Sequence, residues 1–268
     1  MFGKTFELPF FAAPVGSIKL HYGEKYSDRE YDAIVVAGCA ENGIAAFVGD
    51  GPNPDMMMGG VDAVHQAGGI GIPTVKPWDM QTIQKKMELV RCSGAFAVAM
   101  DIDAAGLPFL QNQNPPAGSK SIEQIKEIVQ MADRPFILKG IMTPKAALKA
   151  VEAGADAIVV SNHGGRVLDQ CLSTAEVLPS IVDAVEGKIK IFVDGGIRSG
   201  VDIFKALALG ADGVMLARPF VTAVFGGEKK GIELLIKKLG SELVDTMKMC
   251  GAYSLEEIHK DMVCLIKK

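Results

Sequence analysis

Short apolar runs alternate with amphipathic stretches of helical length along most of the chain. The eight apolar runs cover residues 10–13, 44–48, 70–75, 95–100, 136–139, 157–161, 189–194 and 213–217. Strands that are apolar throughout are typical of a parallel sheet that is covered on both faces. Eight βα units in succession predict a (β/α)8 TIM barrel that forms one domain over residues 1–268. The structural alternative is an open doubly wound sheet, which would need fewer strands or a second domain.

The predicted helices have recognisable start and stop signals. Thr143 is a natural N-cap ahead of Pro144 at the first helical position, and Gly154 ends that helix. Ser199 and Gly210 bound the seventh helix in the same way. The inward-facing residues are predicted to be Ala147, Leu148 and Val151 in the first of these helices and Ile203, Phe204 and Leu207 in the second.

Composition narrows the classes of partner. The net charge is -4, 49% of residues are hydrophobic and 22% are charged, and the chain has no long basic run, so neither nucleic acid nor an anionic membrane is favoured. The five cysteines are scattered and form no Cys-x-x-Cys pair, which indicates reduced thiols of a cytoplasmic protein and no metal site. The start of the chain has no signal-peptide pattern, and no apolar stretch approaches 18 residues. We expect a small-molecule substrate, and the sequence leaves open whether the protein forms a homo-oligomer.

Two segments fall outside the repeating pattern. Residues 103–119 are rich in proline, asparagine and glutamine and follow the fourth strand, so they are either a lid over a site or a solvated surface loop. The tail over residues 220–268 is predicted to be helical, to pack on the barrel and to end in two solvated lysines.

The ends of the seventh and eighth strands predict a phosphate site. The seventh run ends at Asp194 and is followed by Gly195, Gly196 and Arg198; the eighth ends at Ala217 and is followed by Arg218. Glycines let backbone amides approach an anion, the start of the following helix adds its positive dipole, and arginines supply cations. TIM barrels often hold phosphate after these two strands. The alternative is that the glycines serve only a tight turn and the arginines form surface ion pairs.

Polar residues at three other strand ends are candidates for catalysis. The sixth run ends at Ser161, and His163 and Arg166 follow it, as a general base and a carboxylate clamp would. The fifth run ends at Lys139, and the fourth is followed by Asp101, which could orient the histidine. The carboxyl ends of barrel strands meet at one rim, so we expect these side chains to lie together. A lone histidine is otherwise more often a structural residue.

These motifs resemble the family of FMN-dependent α-hydroxy-acid oxidases and dehydrogenases, which includes glycolate oxidase, lactate oxidase and flavocytochrome b2. The resemblance is dense over residues 136–219, in the runs 139–141, 161–169, 194–200 and 204–211, and looser before them. Residues 12–16 look like the family's first flavin contact, and residues 99–101 stand in place of its Thr-Val-Asp.

The resemblance implies FMN as cofactor and a role for each matching residue. Lys139 would contact the pyrimidine edge of the flavin, His163 would take a proton from the substrate, Arg166 would bind the substrate carboxylate, and Asp101 would pair with His163. The flavin contacts implied are Ala13, Pro14, Val15, Lys139, Ser161, His163, Asp194, Gly195, Gly196, Arg198, Ala217 and Arg218.

The chain departs from the family pattern at three places. The family has Gln-x-Tyr at the end of the third strand, whereas this chain has no tyrosine there and offers Lys76 as a candidate substrate contact. No second arginine follows Asp101, and the family's N-terminal segment with another tyrosine has no counterpart before Met1. The chain is therefore either a short member or part of a longer protein. Tyr22 and Tyr26 could substitute in part, although exposed loop tyrosines are the simpler interpretation.

The leading hypothesis is an FMN-dependent oxidoreductase that acts on a 2-hydroxy acid or a related substrate. Two alternatives stay open at this point. One is an FMN-dependent isomerase of the type 2 isopentenyl diphosphate kind, which resembles the chain at the seventh strand end. The other is a flavin-binding barrel without catalysis. Oxidase and dehydrogenase are not distinguished by any residue.

Overall fold

A computed structural model describes residues 1–114 and 116–264 of the chain. The strands in this part of the chain are β1 (Phe10–Ala12), β2 (Phe47–Val48), β3 (Ile72–Val75), β4 (Val98–Asp101), β5 (Phe136–Ile141), β6 (Ala157–Val160), β7 (Lys190–Val193) and β8 (Gly213–Leu216). Each strand lies within or beside one of the eight apolar runs, so the predicted strands are confirmed with small differences at their ends.

The eight strands form one parallel sheet that closes on itself. The order is β1-β8-β7-β6-β5-β4-β3-β2, and every described neighbour pair is parallel. A parallel bridge between Ala12 and Ala46 and a 3.2 Å hydrogen bond from the Ala12 amide to the Ala45 carbonyl join β1 to the segment that enters β2. The fold is therefore the predicted (β/α)8 barrel, and the open doubly wound sheet is excluded.

Helices connect consecutive strands on the outside of the barrel. They are α1 (Ile18–Tyr22), α2 (Asp28–Glu41), α3 (Pro54–Gln66), α4 (Met80–Ser93), α5 (Pro108–Gln111), α6 (Ile122–Ala132), α7 (Pro144–Glu152), α8 (Thr174–Val185), α9 (Gly200–Ala208) and α10 (Arg218–Cys250). The Thr143 side chain caps α7 by accepting a hydrogen bond from the Ala146 amide, as predicted. The predicted stripe of α7 is wrong at Leu148, which is 44% exposed, because Ala147 and Ala150 form the buried face instead.

The core has two layers that follow the alternation of each strand. Phe10 points outward into the layer between strands and helices, whereas Phe11 points into the barrel. Inside the barrel, Phe11, Phe47 and Phe192 pack edge to face with ring centroids 5.5–6.4 Å apart. The interior is thus filled by side chains, and the open end at the carboxyl ends of the strands is left for a site.

The long helix α10 packs against α2 and α9 and is broken in its middle. The backbone of α10 departs from helical dihedral angles at Gly227 and Glu228. A side chain at Gly200 would lie 2.2 Å from the Leu243 amide nitrogen, so α9 and α10 are in close backbone contact. The two terminal lysines lie outside the described residues. None of the helices described here combines the length and the apolar character that crossing a bilayer requires.

The segment 103–119 is more ordered than the sequence indicates. It contains most of a 3-10 turn (Ile102–Gly106) and the short helix α5. Leu107 and Leu110 are buried and lie in the wall of the cavity described below, so part of the segment covers the site. Pro115, in the same segment, is not among the described residues.

Candidate active site

A cavity of about 340 Å³ opens at the carboxyl ends of the strands. Fourteen of the predicted site residues line it: Ala13, Pro14, Val15, Lys76, Asp101, Lys139, His163, Arg166, Asp194, Gly195, Gly196, Arg198, Ala217 and Arg218. The exception is Ser161, which is fully buried and lies outside the lining residues. Its hydroxyl instead accepts a 3.2 Å hydrogen bond from the His163 amide, so it supports a lining residue from behind.

A buried carboxylate between two lysines forms the floor of the cavity. Asp101 and Lys139 are paired across β4 and β5, and the Lys139 ammonium donates to Asp101 Oδ1 at 3.0 Å. The Lys76 ammonium donates to the other oxygen, Oδ2. Burial alone would raise the pKa of Asp101, but the two lysines outweigh it and hold that pKa well below its usual value. Asp101 is therefore ionised throughout the physiological range.

Lys139 also faces a second carboxylate. Its ammonium lies 3.7 Å from Asp194 Oδ2. Burial would lower the pKa of Lys139, but Asp101 and Asp194 raise it above its ordinary value, so the cation is permanent. Burial raises the pKa of Asp194, and Lys139 offsets this only in part. The Lys139 ammonium is therefore a fixed positive charge in the cavity lining. A ring that gains negative charge beside it would be stabilised.

His163 is held in a strained backbone conformation at the end of β6. Its φ is 56°, which places a non-glycine residue in the left-handed region. Histidine tolerates this region better than most residues, and such strain is frequent at functional sites. The imidazole Nδ1 lies 3.7 Å from Asp101 Oδ1, beyond hydrogen-bond distance, and 3.2 Å from both oxygens of Asp103. Asp101 therefore lies within ion-pair distance of His163, and Asp103 is the closer carboxylate.

The turn after β7 presents backbone groups to the cavity. Gly195 and Gly196 have φ of 96° and 79°, and a side chain added at Gly196 would meet no atom within 4 Å, so its space faces the open cavity. Arg198 and Arg218 both line the same space. These features agree with an anion site at the predicted place.

The backbone amides at the start of α9, where the helix dipole is expected to contribute to that site, already have partners within the protein. The amides of Arg198 and Ser199 donate to Asp202 Oδ2, at 3.0 and 3.1 Å, and the amide of Gly200 donates to Glu242 Oε2 at 2.8 Å. Carboxylates of the protein therefore already satisfy and neutralise the start of α9. The glycine turn and the two arginines, which line the cavity, are the groups that are left for an anion there.

Arg166 lies at the mouth of the cavity and is exposed. One of its guanidinium nitrogens is 3.3 Å from His21 Nε2. Partial burial and the neighbouring Arg166 lower the pKa of His21, so the neutral imidazole accepts a hydrogen bond from the guanidinium. This contact joins Arg166 to His21, and both residues line the cavity.

Several cavity residues were missed by the sequence reasoning. They are His21, Asp50 and Thr74; Asp103, which was also missed, contacts the lining residue His163 from outside the lining. Asp50 is buried after β2 and accepts from the Trp78 indole at 2.7 Å, the Lys86 ammonium at 2.6 Å and the Lys76 amide at 3.0 Å. The signal that could have found it is its position after an apolar run, the same signal that identified Asp101.

The two tyrosines of the first loop behave differently. Tyr22 is 38% exposed and lines the cavity mouth. Tyr26 is 8% exposed and its hydroxyl donates to Glu228 Oε1 at 3.1 Å, so its interpretation as an exposed loop residue is wrong. Tyr26 ties the first loop to the break in α10 and does not line the cavity.

Ligand atoms of Asp101, Asp103 and His163 lie within 4.8 Å of one another, which is close enough for a divalent cation. Both oxygens of Asp101 already accept from lysine ammonium groups. Two cations at this spot would repel a third, so the geometry favours an internal charge network over a metal centre.

Comparison with known proteins identifies the family of this chain. The model of FMN-dependent dehydrogenases matches residues 76–265, which is most of the chain and includes β4 to β8. The chain belongs to the FMN-dependent dehydrogenase family.

The relatives of this FMN-dependent dehydrogenase family member include two bacterial enzymes described as L-lactate dehydrogenase. The one from Xanthomonas campestris pv. campestris (strain B100) is 45% identical over 157 residues, which cover 59% of this chain and 40% of the relative. The one from Actinobacillus pleuropneumoniae serotype 5b (strain L20) is 40% identical over 191 residues, which cover 71% and 49%. The matches thus span less than half the length of these relatives.

Solved structures of similar fold include two oxidases. A mandelate oxidase has a TM-score of 0.83 at 26% identity, over 97% of this chain and 80% of that one. A Pediococcus acidilactici protein described as a putative lactate oxidase has a TM-score of 0.84 at 26% identity, over 98% and 77%. The barrel therefore has the fold of these oxidases.

The residues present fit the family's cofactor. Thr74 Oγ1 and Asp194 Oδ1 are buried polar atoms that line the cavity and have no hydrogen-bond partner among the described protein atoms. Buried polar atoms normally have partners, so these two atoms call for a polar ligand. With a permanent cation at Lys139 and the glycine turn beside two arginines, the cavity offers groups suited to a flavin ring, a ribityl chain and a phosphate.

Proposed function

We propose that this protein binds FMN in the barrel cavity and oxidises a 2-hydroxy acid to the 2-oxo acid. The observation that carries the proposal is the convergence of Asp101, Lys139, His163 and Asp194 from four strand ends into one cavity. The similarity to lactate dehydrogenases and to mandelate and lactate oxidases supports the substrate class.

The cofactor would lie along the strand ends from β5 to β8. Lys139 supplies the charge beside the ring, Asp194 and Thr74 supply acceptors and a hydroxyl, and Arg198 and Arg218 supply the cations for the phosphate. Ala13, Pro14 and Val15, which follow β1, line the cavity next to the residues that follow β8. When bound, FMN supplies the acceptor for the hydrogen and the electron pair that leave C2 of the substrate.

The substrate would enter past Arg166. The guanidinium binds its carboxylate at the mouth, and a charge-assisted hydrogen bond of this kind contributes about 1.5–3 kcal/mol. His163 Nε2 accepts the proton of the 2-hydroxyl, and the imidazolium that results is stabilised by the carboxylates on its other side. Lys76, whose ammonium is bound to Asp101, keeps that carboxylate ionised and lies in the cavity wall beside the substrate.

Reconstitution and anaerobic reduction test this function. The protein is expected to bind FMN with quenching of flavin fluorescence, and a panel of 2-hydroxy acids is expected to bleach the bound flavin in the absence of oxygen. His163→Ala should still bind FMN and bleach at least about 100-fold more slowly, because general base catalysis contributes 10²–10⁴-fold. His65→Ala is the matched control, since His65 is exposed in α3, away from the cavity.

The same experiment separates the alternatives. Bleaching by 2-hydroxy acids excludes both the isomerase and the barrel without catalysis. A protein that binds FMN and is bleached by none of them would contradict the proposal and favour one of those two. Reoxidation in air would identify an oxidase, and stable reduced flavin a dehydrogenase. We also propose a cytoplasmic location, which the free cysteines favour and which fractionation would test.

A further inference from the structure

Asp103 is a partly buried carboxylate that contacts His163 directly. It lies in the 3-10 turn that follows β4, and its side chain is 11% exposed, beside a His163 side chain that is 12% exposed. Both of its oxygens are 3.2 Å from His163 Nδ1. An imidazole nitrogen placed evenly between two carboxylate oxygens can donate its hydrogen to either one.

Asp101, the carboxylate at the end of β4, already accepts hydrogen bonds from two other side chains. Asp101 accepts from Lys139 at one oxygen and from Lys76 at the other. Its nearer oxygen is 3.7 Å from His163 Nδ1, which is too far for a hydrogen bond. Asp101 therefore serves the two lysines, and the histidine has Asp103 as its hydrogen-bonded acid.

The backbone makes room for Asp103. Gly140, which follows Lys139 in β5, has a φ of 102°. A side chain added there would lie 2.5 Å from the Cβ and Cγ atoms of Asp103, closer than real Cβ contacts come. Only glycine at this place allows the Asp103 carboxylate to reach the histidine.

We propose that Asp103 is the positioning residue for His163. By accepting the Nδ1 hydrogen, it fixes the tautomer in which Nε2 is bare and faces the cavity, and it stabilises the imidazolium that forms when Nε2 takes up a proton. This inference rests on the proposed function only for its effect on catalysis. The tautomer is a property of the protein without FMN.

The first test uses protein without FMN and labelled with ¹⁵N-histidine. The chain has four histidines, and the His163 signals are assigned by their loss in His163→Gln. At a pH where His163 is neutral, the wild type is expected to carry its hydrogen on Nδ1. Asp103→Ala is expected to shift His163 to the Nε2–H form that free histidine prefers. Asp169→Ala removes an exposed acid of the loop that holds His163 and should leave the tautomer unchanged. An unchanged tautomer in Asp103→Ala would overturn the proposal.

The second test measures flavin reduction. With FMN and a 2-hydroxy acid that bleaches the wild type, Asp103→Ala is expected to reduce the limiting rate of bleaching about 100-fold and to change the dissociation constants of FMN and substrate less than threefold. Asp103→Asn keeps the shape of the side chain and is expected to slow bleaching at least about tenfold, because a neutral amide does not stabilise the imidazolium. Wild-type rates in both variants would overturn the proposal.

The two tests together distinguish a failure of the proposed function from a failure of the positioning role of Asp103. If no 2-hydroxy acid bleaches the wild type, the proposed function fails and the tautomer alone decides the role of Asp103. If the wild type is bleached and the tautomer does not depend on Asp103, the function stands and the positioning role is refuted.

Discussion

Replacement of Lys139 by methionine tests the charge network that the site is built on. The variant keeps the length and most of the apolar volume of the side chain but removes the buried ammonium. Asp101 keeps Lys76 as a partner, whereas Asp194 loses its ion-pair partner among the described residues. Removal of one partner of a buried ion pair typically costs 3–5 kcal/mol. Because Asp101 retains one cation, we expect the free energy of unfolding at pH 7 to fall by about 3 kcal/mol.

The pH dependence gives the sign of the effect. In the wild type the pKa of Asp101 is lowered in the folded state, so its stabilisation is present above the pKa of the unfolded chain and is lost as the pH falls. In the variant, burial without Lys139 raises the pKa of Asp194 further, so the folded variant takes up a proton at a higher pH. The stability difference should therefore shrink as the pH falls, by up to about 1.4 kcal/mol per pH unit for one proton.

Urea unfolding of the protein without FMN, at several pH values between 5 and 7.5, measures this difference. Lys190→Met is the matched control: its ion pair with Asp212 also joins two strand segments, at 2.6 Å, but Lys190 is 57% exposed, so the loss should be below about 1 kcal/mol. A loss in Lys139→Met that is the same at every pH would refute the reasoning, because it would come from packing and not from charge.

Three further predictions concern other parts of the molecule. Arg198→Ala and Arg218→Ala should each weaken FMN binding about 10- to 150-fold while riboflavin binding is unchanged, as fluorescence titration with both ligands would show. Asp50→Ala should reduce the free energy of unfolding by about 3 kcal/mol or more and shift the emission of Trp78, the single tryptophan, since Asp50 binds its indole. Asp32→Asn should increase stability at pH 7, because burial raises the pKa of Asp32 well above its usual value, and the gain should vanish as the pH falls towards 4.

The sequence predicts most of the fold because the signals for it are local. An apolar run that ends in glycine or a polar residue marks each strand, and Thr143 and Ser199 cap their helices as their residue types favour. Leu148 was misplaced because a stripe of three apolar residues allows more than one face of a short helix to be buried, and the small Ala150 fits closer to the barrel.

The site was predictable only as far as position along a strand decides it. The rule that strand ends meet at one rim placed Asp101, Lys139, His163 and Asp194 together. The rule does not say which carboxylate reaches which cation. That choice depends on the 3-10 turn that holds Asp103 and on the space at Gly140, neither of which has a signal in the spacing of residues.

The spacing of residues also does not show which side chains contact the amides near the predicted anion site. Ser199 and Gly200 look like a free helix start in the sequence, but Asp202 and Glu242 satisfy their amides, and Glu242 is 42 residues away along the chain. A contact of that separation comes from the packing of α10 on α9, which no local pattern encodes.

The measurement that tests the central claim most directly is a stoichiometric anaerobic titration of the FMN-loaded protein with 2-hydroxy acids. The account predicts that each bound flavin is bleached by one equivalent of a substrate and that one equivalent of the matching 2-oxo acid forms. A protein that binds FMN tightly but forms no 2-oxo acid with any member of the panel would contradict the account.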